Sequence, residues 1–137
     1  MNHQVKTNWK GGMAFDAQIN EHHVIMDAHS EFGGQNLGAP PKHFLLSSLS
    51  GCTGMDIVSL LNKMHLPFSS FSIDVEAEIT DEHPKVYKKI HLIYHIDMDE
   101  SEHDKMRKAV TLSQDKYCGV SAMLKMVCPV SWEIQFN

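Results

Sequence analysis

Two thiols, Cys52 and Cys118, are the residues of this chain best suited to covalent chemistry. An ordinary cysteine titrates near about 8.5, so only a few per cent is thiolate at neutral pH, and a nucleophilic thiol needs a cation, an imidazole or a helix N-terminus beside it. Cys52 falls inside a long apolar segment, where no helix end can assist it. Cys118 precedes Gly119-Val120-Ser121-Ala122-Met123-Leu124, a short helical stretch whose free amides favour a thiolate. The alternative for both is plain packing, because cysteine is among the most often buried residue types. Cys128 shares a face with Val130 and Trp132 and reads as packing. Three widely spaced cysteines with no CxxC pair fit neither a disulfide framework nor a zinc ribbon, and point to free thiols in a reducing compartment.

Ten histidines invite a metal reading, which their spacing opposes. His91 and His95 are two strand steps apart, about 13 Å on a regular strand, and His22 and His23 point to opposite faces. No metal site is expected from them. HExxH, GxxxxGK[ST], GxSxG and GxGxxG are all missing, which removes the commonest zinc-protease, P-loop, hydrolase and dinucleotide readings, and no cofactor is expected. A net charge of -5 offers no field for a phosphate backbone, so nucleic acid is not an expected partner. No run approaches about 18 consecutive apolar residues, and the opening MNHQVKTNWKGG lacks the apolar centre of a secretory signal. A cytoplasmic protein without a membrane partner is the expectation.

The elements that must position the thiols follow from periodicity, and 137 residues with 42% hydrophobic content suit a single domain over 1–137 with its own core. Residues 3–10, 13–19 and 23–28 alternate at period two around Gly11-Gly12 and Asn20-Glu21, which predicts a three-strand meander. A turn-rich loop runs from Ala28 to Ala39. Pro40 and Pro41 stand where a helix starts, and the helix continues to about Met64. It is apolar or small nearly all round, which predicts a path through the middle of the structure, with Gly51 and Gly54 admitting another backbone. Phe71, Ile73, Val75, Ala77 and Ile79 alternate with polar residues, and after a turn Val86, Ile90, Leu92, Tyr94 and Ile96 face one way, giving an antiparallel hairpin. Ser101 is expected to cap a second helix carrying Met106, Ala109, Val110, Ser113 and Tyr117. The pattern breaks at Cys118-Gly119, then a short helix and a last strand with Val130, Trp132, Ile134 and Phe136 complete an α+β domain.

The segments Pro40-Pro41-Lys42-His43-Phe44-Leu45-Leu46-Ser47-Ser48-Leu49-Ser50-Gly51-Cys52-Thr53-Gly54-Met55-Asp56 and Tyr117-Cys118-Gly119-Val120-Ser121-Ala122-Met123-Leu124 resemble the two signature segments of the OsmC/Ohr family. The resemblance spans nearly the whole chain. It implies the OsmC-like fold, antiparallel sheets packed on a long central helix, in an intertwined homodimer with two sites at the subunit interface. It also implies thiol-dependent reduction of small-molecule hydroperoxides, with Cys52 as the peroxidatic thiol, Cys118 as the resolving one, and an external thiol or dithiol as reductant. Such chemistry needs the two thiols close in space, whatever their separation along the chain.

The family's peroxidases carry an arginine from the N-terminal strands and a glutamate ten residues before the first cysteine. Here that glutamate position is Lys42, and the only arginine is Arg107. Lys10, Lys42 and His43 are the candidates for activating the thiolate or binding substrate, against the alternative of a solvated first helical turn. A lysine is a point charge and does not reproduce a bidentate guanidinium-carboxylate clamp. The pattern is similar to the OsmC-like branch that keeps both thiols without the Arg/Glu pair. A non-catalytic redox-sensing or ligand-binding dimer is therefore the second reading.

Overall fold

A computed structural model describes residues Met1–Asn137, which divide into two compact units, Met1–Leu46 and Ser47–Asn137. In the first, β1 (Lys6–Trp9), β2 (Phe15–Ile19) and β3 (His22–Met26) form the expected antiparallel meander, with Trp9 opposite Phe15 and Ile19 opposite His22. Gly11 and Gly12 both take positive φ, 95° and 55°, in the β1–β2 turn, a conformation that costs glycine little. The loop after β3 is organised by Asp27, whose carboxylate accepts the amides of Ala28 (2.7 Å), Gln35 (3.1 Å) and Leu37 (3.2 Å). Those bonds hold the Asp27 carboxyl below its ordinary range, the Ala28 amide contributing most.

The second unit is built around β5 (Tyr87–Asp97). It lies between β4 (Ser69–Ile79), paired antiparallel, and β6 (Val130–Phe136), paired parallel, so the sheet is mixed where an antiparallel one was expected. Parallel neighbours need a crossover of a dozen or more residues. Here α2 (His103–Leu112), a π-helical turn over Ser113–Tyr117 and α3 (Gly119–Lys125) supply it. On the inner face of β5, Ile90, Leu92, Tyr94 and Ile96 are all fully buried. They meet Met106, Ala109 and Val110 of α2 and a stripe of the long helix α1 (His43–Lys63) in one core. At about 1.5–3 kcal/mol for each buried large apolar side chain, this core is the main stabilising term of the unit.

Helix α1 starts three residues after Pro40 and buries Leu49, Thr53, Ile57 and Leu61, one residue per turn. The other side of it stays open in this chain, with Met55 76% exposed. Its 21 residues and mean hydropathy of 1.5 are enough, by length and composition, to cross a membrane. The stripe packed on the sheet identifies α1 as a core helix. Within this chain no second backbone lies against either helical glycine. A Cβ on Gly51 would meet nothing within 4 Å, and one on Gly54 would come 3.3 Å from the Ile73 side chain. The cap before α2 also differs from expectation: Asp99, not Ser101, accepts the Ser101 amide at 2.9 Å and starts a short 3-10 turn over Glu100–Glu102 that leads into the helix.

Candidate functional site

Cys52 lies half-buried on α1, one position before the fully buried Thr53. Asp56 follows one turn later, at the i+4 spacing that puts two side chains on one side of a helix. Cys118 reaches the same place from the crossover. The π-helical turn closes with the Cys118 amide donating to the Ser113 carbonyl at 2.7 Å. Cys118 then turns extended (φ -74°, ψ 102°) and becomes the residue before the first turn of α3, its sulfur accepting the Ser121 amide at 3.4 Å. Single π turns of this kind re-aim the residue that follows them, and they recur at functional sites.

The result is a cluster in which the Cys52 sulfur, the Cys118 sulfur and an Asp56 carboxylate oxygen all lie within 4.8 Å of one another. Neither thiol is in a disulfide. A disulfide needs its sulfurs about 2.0 Å apart, an approach that side-chain rotation on two adjacent elements can supply.

Burial pushes the Cys118 thiol up to about 11; the Ser121 amide opposes this, and the hydrogen bond with Cys52 and the negative charges available at Cys52 and Asp56 add to it. The expectation that the start of α3 would favour a Cys118 thiolate is thus overturned, because one amide at 3.4 Å does not offset the loss of solvent. Cys118 keeps its proton and shares it with the Cys52 sulfur. No cationic side chain is among the groups acting on it.

A buried polar network holds the cluster in place. Thr53 Oγ1 pairs with Tyr94 Oη (2.8 Å) and Ser113 Oγ (2.7 Å), and Ser113 donates to Asp56 Oδ2 at 2.8 Å. Gln114 donates to Tyr94 Oη at 2.8 Å and accepts from Ser121 Oγ at 2.6 Å. Every member but Asp56 is buried. Partnered on all sides, these groups repay their desolvation and specify one arrangement of the three chain segments. Spacing and periodicity in the sequence did not reveal this network. The available signal was Thr53 and Ser113, two hydroxyl residues standing at core positions of otherwise apolar stripes.

The other expected site residues belong to the first unit. Lys10 is exposed in the β1–β2 turn, its amide donating to the Ala14 carbonyl at 2.9 Å. Lys42 precedes α1 and accepts the Leu45 amide on its carbonyl at 3.1 Å, and His43 is the first residue of α1. The histidines that spacing kept apart are each engaged locally: His91 with Ser131 at 2.7 Å, His95 with Asp74 at 2.9 Å, His23 with Asp16 at 3.1 Å.

Two recesses lie along α1, and of these the smaller is the one lined by a member of the cluster. A groove of about 780 Å³ runs along α1 and β4, lined by Gly51, Gly54, Met55, Val58, Phe71 and Ile73 among others. A smaller one, about 250 Å³, is lined by Met55, Asp56, Ser59, Leu60, Lys63 and Tyr117 and opens onto the Asp56 side.

Comparison with known proteins places this geometry. The family model described as OsmC-like protein matches residues 33–133, a span that includes both thiols. Protein YhfA of Escherichia coli K12 is 26% identical over 123 residues, covering 89% of each chain. Among solved structures, a hypothetical protein from Aquifex aeolicus VF5 superposes with a TM-score of 0.82 at 25% identity, covering 100% of this chain and 98% of its own. An organic hydroperoxide resistance protein from Elizabethkingia anophelis shares the fold with a TM-score of 0.72 at 12% identity, covering 100% and 99%.

Proposed function

The chain belongs to the OsmC-like protein family, and from that premise we propose that it is a thiol-dependent peroxidase that reduces organic hydroperoxides through Cys52 and Cys118. The observation that carries the proposal is the meeting of both sulfurs within 4.8 Å. Cys52, the more accessible of the two, is the attacking thiol. Its thiolate bonds to one peroxide oxygen and the O–O bond breaks. The alkoxide leaves and takes a proton to become an alcohol, and Cys52 is left as a sulfenic acid. The Cys118 sulfur then attacks the Cys52 sulfur, its proton leaves with the hydroxyl as water, and a disulfide forms. An external thiol or dithiol returns two electrons by exchange.

The recess at Asp56, lined in part by Met55, Leu60 and Tyr117, supports an organic substrate over hydrogen peroxide, because it offers an alkyl tail a place to leave water. Lys10, Lys42 and His43 are proposed to supply the positive charge that the family's arginine supplies elsewhere. The exposed Met123, Met126 and Val127 support assembly as a homodimer, since exposed apolar clusters of this kind mark interaction surfaces. Free thiols support a cytoplasmic location.

Peroxide consumption by the purified protein with an excess of dithiol tests the activity. Cys52→Ser is expected to abolish it and Cys128→Ser to leave it intact; full activity in Cys52→Ser would rule the proposal out. A redox-sensing dimer that reacts without turnover is the second reading. It is favoured by the high pKa of Cys118, which slows disulfide closure. One oxidation event per chain under excess reductant would select it.

A further inference from the structure

We propose that Cys52, Cys118 and Asp56 form a three-ligand site for a thiophilic divalent cation, Zn²⁺, with the fourth position open toward the recess beside Tyr117. The three donor atoms already lie within 4.8 Å of one another. On one tetrahedral zinc ion with Zn–S bonds of about 2.3 Å and a Zn–O bond of about 2.0 Å, two sulfurs sit about 3.8 Å apart and a sulfur and an oxygen about 3.5 Å, so the cluster needs to close by roughly 1.3 Å or less. Two cysteine sulfurs, which release their protons as the ion binds, and a carboxylate are donors that suit zinc.

The surroundings of the cluster are those of a metal site as well. Ligating groups are held by outer hydrogen bonds that fix their direction. Ser113 donates to Asp56 Oδ2 at 2.8 Å, leaving the other carboxylate oxygen for a cation, and the Ser121 amide orients the Cys118 sulfur at 3.4 Å. Thr53 and Tyr94 in turn hold Ser113, so the support extends two layers back. Three protein ligands with an open position describe an exchangeable site rather than a closed structural one. The recess lined by Asp56, Ser59, Lys63 and Tyr117 is the entry path. A cation held there would occupy both sulfurs and mask them from oxidants, a consequence that rests on the peroxidase reading. Capture of the ion does not.

The test is titration of the reduced full-length chain with Zn²⁺ in competition with a chromophoric chelator, together with thiol labelling followed by peptide mapping. The expected result is one tight ion per chain and protection of Cys52 and Cys118, but not Cys128, from labelling. Cys52→Ser and Cys118→Ser should each weaken binding at least about a hundredfold, and Asp56→Asn, which keeps an acceptor for Ser113, at least about tenfold, since even outer-shell losses cost about 10–100-fold. Circular dichroism of each variant separates a lost ligand from a lost fold. Co²⁺ substitution should give thiolate charge-transfer absorption that vanishes in either cysteine variant. Binding that survives both cysteine variants would place the ion on the surface histidines and overturn the proposal, as would the lack of any tight ion. Because these readouts involve no peroxide, their failure is distinct from failure of the peroxidase reading.

Discussion

Ser113 donates a 2.8 Å hydrogen bond to Asp56, joining the start of the turn that delivers Cys118 to the helix that carries Cys52. The two residues are far apart in the chain, and the bond ties the half-buried carboxylate next to both thiols to the buried Ser113. Thr53 reinforces it by pairing with the same Ser113 hydroxyl at 2.7 Å. Proximity of the sulfurs is thus a property of the folded core and not of a mobile loop.

Removing the amide that completes this network should be costly. Gln114→Leu takes away the acceptor of Ser121 and a donor to Tyr94, stranding buried hydroxyls. Each buried polar group left without a partner costs about 1–3 kcal/mol, so the urea midpoint should fall by the equivalent of at least about 1 kcal/mol. An unchanged midpoint would mean that water or a rotated side chain replaces the amide.

The raised Cys118 pKa links stability to alkaline pH. A group that binds its proton more tightly when folded contributes stability that is fully present below its unfolded pKa and is lost as pH rises through its folded value. For Cys118 that window runs from the ordinary thiol range to about 11. Wild type should therefore lose on the order of 2–3 kcal/mol more than Cys118→Ala across this window. Comparing the two proteins cancels the tyrosines and lysines that titrate alongside. Equal slopes in urea titrations of both would contradict the shift.

Gly51 separates helix energetics from assembly. Nothing lies within 4 Å of a Cβ placed there, so Gly51→Ala should gain about 0.8–1 kcal/mol of helix stability in a thermal or urea melt. A loss of stability instead would show that a second chain closes on this position in the assembled protein.

Much of this molecule can be read from residue order, and what cannot has identifiable causes. The meander, the length of α1, the β4–β5 hairpin and the break at Cys118 all follow from period and punctuation. Strand direction does not, because alternation in β6 is the same whichever way it runs. The parallel pairing is decided by the crossover of α2 and α3. An apolar, small-residue helix such as α1 cannot declare which stripe is buried until β5 supplies Tyr94 as the partner of Thr53. For Cys118, position at a helix start and depth of burial push in opposite directions, and residue order reports only the first. Asp99 and Ser101 are both good caps two residues apart, and the 3-10 turn over Glu100–Glu102, which takes in Ser101, settles the choice.

The most direct measurement is peptide mapping after the reduced protein meets one equivalent of an organic hydroperoxide, without added reductant. The expected product is a single disulfide between the Cys52 and Cys118 peptides, with Cys128 still alkylatable and one alcohol released per disulfide. Irreversible oxidation of Cys52 with Cys118 left as a free thiol, or no reaction at Cys52, would contradict a paired peroxidatic and resolving role for these residues.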